Sequence, residues 1–151
     1  MPTIDDTIAF IKVAHAGQKD AAGLDYYLHP IAVVNRLPAD ADLEVKLAAL
    51  LHDVLEDTPH TAQDLLDMGY SARTVATVEW VTKAPDDTRS YPEKVAAIIA
   101  GGNRDAIQVK FADMSENADP ERLALLPPER RDHFVRKYTA PLQALREALG
   151  Y

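Results

Sequence analysis

The sequence predicts an all-α fold: a compact, single-domain bundle of roughly eight helices over residues 1–151. Three observations predict it. Apolar residues recur three and four apart in segment after segment, the period of a helix face. No segment alternates in the way a half-buried strand does. The periodic segments are punctuated by Ser, Thr, Asp or Asn where helices start and by Gly or Pro where they stop. At 47% hydrophobic, the chain carries enough apolar surface for one core.

Thr3 caps a first helix with Asp5 and Asp6 in its first turn. Ile4, Ile8, Ile11 and His15 share its apolar face, so His15 is either a core-facing histidine or a site residue. Residues 17–27 hold two glycines and a tyrosine pair and read as a loop. Pro30 suits the first position of a helix over about residues 30–36, with His29 at its cap. Asp42 caps the next helix, which runs on to Thr58. Thr61 caps a short helix over about residues 62–68, stopped by Gly69. Ser71 caps another over about residues 72–83, followed by a loop over residues 84–90. Pro92 opens a helix that Gly101-Gly102 closes. Asn103 starts the next, in which Ile107, Val109, Phe111, Ala112 and Met114 surround Asp113. Asp119-Pro120 breaks the pattern. A final helix over about residues 129–149 carries Phe134, Tyr138, Leu142, Leu145 and Leu149 on one face. Its Arg130, Arg131, Arg136 and Lys137 are expected in solvent.

Composition narrows the function. The net charge of −8 argues against nucleic acid as the main partner, because phosphate backbones need a basic footprint. A small phosphorylated ligand is compatible with it, since a pocket can be locally positive in an acidic protein. No cysteine is present, so any metal is held by His, Asp or Glu. Residues 1–18 lack the basic start and unbroken apolar run of a signal peptide, and no stretch approaches a membrane span. A cytoplasmic protein with no membrane partner is expected.

The chemistry concentrates in the helix that ends at Thr58. Among Leu47, Leu50, Leu51, Val54 and Leu55 stand the pairs His52-Asp53 and Glu56-Asp57, one helical turn apart. Burying three acids and a histidine is costly unless something pairs them. A divalent cation does so, because neutral imidazole and carboxylate are ordinary ligands for such ions. Two further segments offer ligands: His29, and Asp113 within its apolar run. Asp113 is either a buried acid or an aspartate on an exposed face beside Lys110.

Five strings together carry a family resemblance. They are Ala14-His15-Ala16-Gly17-Gln18, Tyr27-Leu28-His29-Pro30, Leu50-Leu51-His52-Asp53-Val54-Leu55-Glu56-Asp57-Thr58, Val81-Thr82-Lys83, and Val109-Lys110-Phe111-Ala112-Asp113-Met114 with Asn117. Over about residues 4–145 the chain resembles the hydrolase domain of the RelA/SpoT family, within the HD superfamily of metal-dependent phosphohydrolases. Its length is similar to that of stand-alone small alarmone hydrolases. The resemblance implies that His29, His52, Asp53 and Asp113 hold one manganese ion, and that Glu56 and Asp57 position and activate the attacking water. It implies a nucleotide substrate with a 3′-pyrophosphate, guanosine tetra- or pentaphosphate, released as pyrophosphate. It places Asn117 and Lys110 near the substrate's sugar and phosphates, Tyr138 in the pocket, and His15 beside the site, orienting a phosphate or a ligand.

The chain departs from the family in two places. The family's loop arginine, which packs on the guanine base, is replaced by Asp20. The arginine-threonine after the asparagine is replaced by Ala118-Asp119. Asp20 could accept a hydrogen bond from a base amine, and Lys19 could swing in as a point charge. Weaker discrimination between guanine and adenine nucleotides is therefore expected. Two other readings remain open: a metal-dependent phosphatase of another nucleotide such as NADPH, and a nucleotide-binding metal domain without turnover.

Overall fold

The computed structural model describes residues 1–151 as ten helices: α1 (Ile4–Ala14), α2 (Leu28–Val34), α3 (Leu43–Leu51), α4 (Val54–Asp57), α5 (Ala62–Asp67), α6 (Ala72–Val81), α7 (Tyr91–Gly101), α8 (Arg104–Asn117), α9 (Pro120–Leu123) and α10 (Pro128–Leu149). One isolated bridge, Lys19 with Asp25, is the sole strand-like pairing. No helix is long and apolar enough to cross a membrane.

Helix α3 is the hub. Leu47, Ala48, Ala49, Leu50 and Leu51 are all 0% exposed, because α1, α2, α6 and α8 pack around them. A leucine buried this fully contributes roughly 2–3 kcal/mol. Val33, Val54, Leu65, Val75 and Val78 complete this first core. A second core gathers Val95 and Ile98 of α7, Ala106, Ile107 and Met114 of α8, and Tyr138, Leu145 and Leu149 of α10. Helix α8 serves both, since its Val109 and Ala112 belong to the first. That double duty explains its nearly continuous apolar run.

The caps form as the sequence suggests at Thr3, Thr61, Ser71 and Asn103, whose side chains accept from the third helical N–H. Gly102 ends α7 in the left-handed region at φ 70°. Four expectations are corrected. The helix expected to run unbroken to Thr58 is interrupted at His52-Asp53, where Asp53 takes φ −106° and ψ 1°. Asp42 precedes α3 but makes no cap bond; its carboxylate accepts from Arg73 Nη1 at 3.0 Å. Helix α2 begins at Leu28, so His29 lies inside the first turn and is not its cap. Beyond the break at residues 119–120 the chain forms α9, capped by Asp119 through Glu121 N–H. The α3/α4 interruption and α9 raise the count from eight to ten.

Two basic residues of α10 are also not free in solvent. Arg131 donates from Nε to the Leu123 carbonyl at 3.2 Å and from Nη2 to the Leu126 carbonyl at 3.1 Å. Lys137 lies half-buried over the Tyr91 ring.

Candidate metal centre

The interruption after α3 is what makes the centre. At the end of the helix the His52 ring folds back, and its Nδ1–H donates to the Ala49 carbonyl at 2.7 Å. That bond fixes the proton on Nδ1 and turns the Nε2 lone pair outward. Nε2 lies 3.0 Å from Asp53 Oδ2 and 3.4 Å from Asp113 Oδ1, with no well-aligned hydrogen bond to either. His29, delivered by the first turn of α2, approaches Asp113 Oδ1 through Nε2 at 2.8 Å. Its Nδ1 is buried without a partner. His29, His52 and Asp53 offer ligand atoms within 4.8 Å of one another, and Asp113 joins them through both histidines.

The electrostatics of this set call for positive charge. Burial alone would push the Asp113 carboxyl up, but Lys110, His52 and the His29 hydrogen bond hold it well below the usual carboxylate range. Burial likewise disfavours a charged His52, and Asp53 and Asp113 overcome this and raise its pKa. A divalent cation could balance the Asp53 and Asp113 carboxylates. Two neutral imidazoles and two carboxylates fit such an ion and leave coordination positions for water and a phosphoryl oxygen. The neighbours are arranged around the carboxylates. Tyr26 donates its hydroxyl hydrogen to Asp53 Oδ2. Lys110 Nζ and Asn117 Nδ2 each donate to Asp113 at 3.3 Å.

Glu56 and Asp57 stand beside this set, and the structure separates them. Glu56 Oε1 accepts from the Lys83 backbone N–H at 2.7 Å, tying α4 to the end of α6. The Asp57 carboxylate carries no such tie. Burial, then Asp53 and Glu56, push its pKa up to about 6. The Asp57 backbone is held instead: its carbonyl accepts from Gln18 Nε2 at 2.9 Å, and Gln18 Oε1 accepts from His15 Nδ1 at 2.9 Å.

A cleft of about 360 Å³ opens over the centre. His29, Asp53, Glu56, Asp57 and Asp113 line one end, with Lys19, Lys110, Asn117 and Tyr138 along its walls. His52 lies behind Asp53, 3% exposed. Two expectations about the substrate side change. His15 does not line the cleft; it is buried behind Tyr26, ring centroids 5.1 Å apart, and its one side-chain hydrogen bond goes to Gln18. Asp20 is not free to read a base. Its Oδ1 accepts from Ala22 and Leu24 N–H at 2.9 and 3.0 Å, and its Oδ2 from Arg122 Nη2 at 2.9 Å. Lys19 is paired with Asp25 across the same loop.

Several cleft residues were not singled out from the sequence. Tyr26 and Tyr91 carry no motif. Arg122 comes from α9, in a segment read only as a break, and reaches the wall through Asp20. Leu123, Leu126 and Phe134 supply apolar lining to the cleft. The helical period of α10 placed Phe134 on the apolar face without distinguishing core from cleft.

No family model matches the chain. Among curated proteins it is 33% identical over 145 residues to the bifunctional (p)ppGpp synthase/hydrolase SpoT of Escherichia coli strain K12, covering 91% of this chain and 20% of that protein. It is 32% identical over 146 residues to the guanosine-3′,5′-bis(diphosphate) 3′-pyrophosphohydrolase of Vibrio cholerae, with the same coverages of 91% and 20%. The chain spans about a fifth of the length of these relatives. A solved structure, described as a metazoan ortholog of SpoT that hydrolyzes ppGpp and plays a role in starvation responses, superposes with a TM-score of 0.73 at 24% identity, covering 99% of this chain and 94% of that one. Over nine-tenths of its length the chain is thus similar to one segment of SpoT-type proteins, and it has the all-helical fold of a SpoT ortholog from end to end.

Proposed function

We propose that this protein is a metal-dependent 3′-pyrophosphohydrolase of alarmone nucleotides, guanosine tetra- or pentaphosphate or their adenosine analogues, with manganese as its ion. The observation that carries the reading is the clustering of His29, His52 and Asp53, joined by Asp113, beside an acid whose carboxylate has no hydrogen-bond tie, Asp57. The names of the curated relatives support the choice of reaction.

A divalent ion held by His29, His52, Asp53 and Asp113 would polarise a phosphoryl oxygen and acidify a bound water. The residues of the chain supply the rest. Asp57 accepts the proton as the water oxygen bonds to the inner phosphorus of the 3′-diphosphate. The bond from that phosphorus to the sugar O3′ breaks as O3′ takes up the proton that Asp57 received, leaving a 3′-hydroxyl on the nucleotide and free pyrophosphate. Glu56, gripping Lys83 N–H, fixes the turn that presents Asp57. Lys110 sets an ammonium against phosphoryl charge, and Asn117 offers an amide to the sugar side. The apolar lining of Leu123, Leu126, Phe134 and Tyr138 covers the base. The partner is this one small molecule; a net charge of −8 disfavours nucleic acid.

The deciding experiment is a panel of nucleotides turned over with manganese and read for pyrophosphate against orthophosphate. Pyrophosphate from a 3′-diphosphate nucleotide is expected. Orthophosphate from a substrate such as NADPH would make the protein a phosphatase. Binding with neither product would make it a nucleotide-binding domain.

A further inference from the structure

A second cleft of about 170 Å³ adjoins the first and shares Glu56, Tyr91 and Lys110 with it. Its chemistry is opposite to the acidic metal end. Lys94 and Lys110 line it, and with Lys137, which lines neither cleft, they set three ammonium groups around the Tyr91 ring: Lys137 Nζ at 4.6 Å from the centroid, Lys110 at 5.3 Å and Lys94 at 5.8 Å. They come from α10, α8 and α7, so tertiary packing brings them together. Lys110 is paired with Asp113 and Arg89 with Asp87, whereas Lys94 and Lys137 have no carboxylate partner.

This is an anomaly in a chain with 24 acids against 16 Lys and Arg. Carboxylates are plentiful, and Asp113 and Asp87 act on this corner from a distance, yet none forms an ion pair with Lys94 or Lys137. Burial, then the charges of Lys110 and Lys94, pull the Lys137 pKa below its ordinary value, so the repulsion is felt. The ring face offsets part of it through cation–π attraction, roughly 0.5–1 kcal/mol at a partly exposed site. An anion would offset more. A terminal phosphoryl group, with three acceptor oxygens and close to two charges, matches compact, rotatable ammonium donors.

We propose that Lys94 and Lys137, set around Tyr91, form a subsite for a phosphoryl group of the substrate that the metal centre does not hold. The inference rests on the function proposed above. Lys110 links the two regions, with Asp113 on one side and Tyr91 on the other. The group is either the 5′-diphosphate or the outer phosphoryl of the 3′-diphosphate; both present the same chemistry.

The test compares wild type with a Lys94→Gln/Lys137→Gln double variant, both manganese-loaded. Two substrates are used: guanosine 5′-diphosphate 3′-diphosphate, and guanosine 3′-diphosphate with a free 5′-hydroxyl. The double variant should raise KM for the first by about tenfold to a hundredfold, the loss of one or two charge-assisted hydrogen bonds. The same rise with the second substrate assigns the subsite to the outer 3′-phosphoryl; no rise with the second assigns it to the 5′-diphosphate. Unchanged KM for both overturns the proposal. So does an equal rise in Lys12→Gln, which removes a charge that lies over Tyr27 and not over Tyr91. The single variants carry the same comparison if the double variant melts early. If wild type releases no pyrophosphate from either nucleotide, the proposed function fails, and the subsite is judged by calorimetric titration with inorganic pyrophosphate. Binding about tenfold weaker in the double variant supports it, and equal affinity overturns it.

Discussion

His52 Nδ1 lies 2.7 Å from the Ala49 carbonyl oxygen, one turn back in the same chain. At the helix end the Ala49 carbonyl thus accepts from both the His52 backbone N–H, at 3.5 Å, and the ring that would point a lone pair at an ion. Structure and chemistry share one hydrogen bond. His52→Ala should therefore lose the ion and turnover together. Manganese affinity should fall by more than the roughly 10- to 100-fold that a metal's outer hydrogen-bond partners account for. Metal content by mass spectrometry, beside turnover number, checks it. The wild-type protein should also melt at a lower temperature after chelation, because the ion binds only the folded chain; a melting temperature indifferent to manganese would count against the centre.

Glu56 and Asp57 should separate. Asp57→Asn should keep the metal and lower kcat by roughly two to four orders of magnitude, the share of a general base. Glu56→Gln should lose less, since an amide oxygen still accepts from Lys83 N–H. A larger loss in Glu56→Gln, or loss of the ion in either variant, would reverse the assignment.

His15 and Gln18 should behave as one unit. Each alanine variant should lower kcat by about tenfold with the metal retained, the usual effect of a supporting hydrogen bond. The double variant should lose no more than either single one, because both act on Asp57 through the same chain of bonds. Additive losses would mean that the two act separately.

Base choice should be loose. The Asp20 carboxylate is taken up by two loop N–H groups and by Arg122, leaving nothing at that position to read a base edge. Specificity constants for guanine and adenine alarmones should be comparable. A thousandfold preference, about 4 kcal/mol, would show that another wall of the cleft reads the base.

The helices and the candidate ligands His52, Asp53 and Asp113 were legible in the sequence because both rest on local signals. Periodicity and caps placed eight helices, and unusual burial flagged His52, Asp53 and Asp113. What stayed hidden is long-range. The stop at His52-Asp53 has no Gly or Pro to announce it. Arg122 gained its place from Asp20, 102 residues away. Lys137 reads as a solvated face residue until α7 and α8 bring Tyr91, Lys94 and Lys110 to it. Pattern in one segment does not report which other segment lies opposite.

Helix α8 belongs to both cores, and the cleft runs along the seam between them. His29, His52 and Asp53 stand on one bank with the first core, and Tyr91 and Tyr138 on the other with the second. An ion gripping Asp113 from the first bank would act as a rivet, and a nucleotide lying across the cleft would act as a strap. Slow amide exchange in α7 and α10 should then depend on what fills the seam, although neither helix supplies a ligand to the ion.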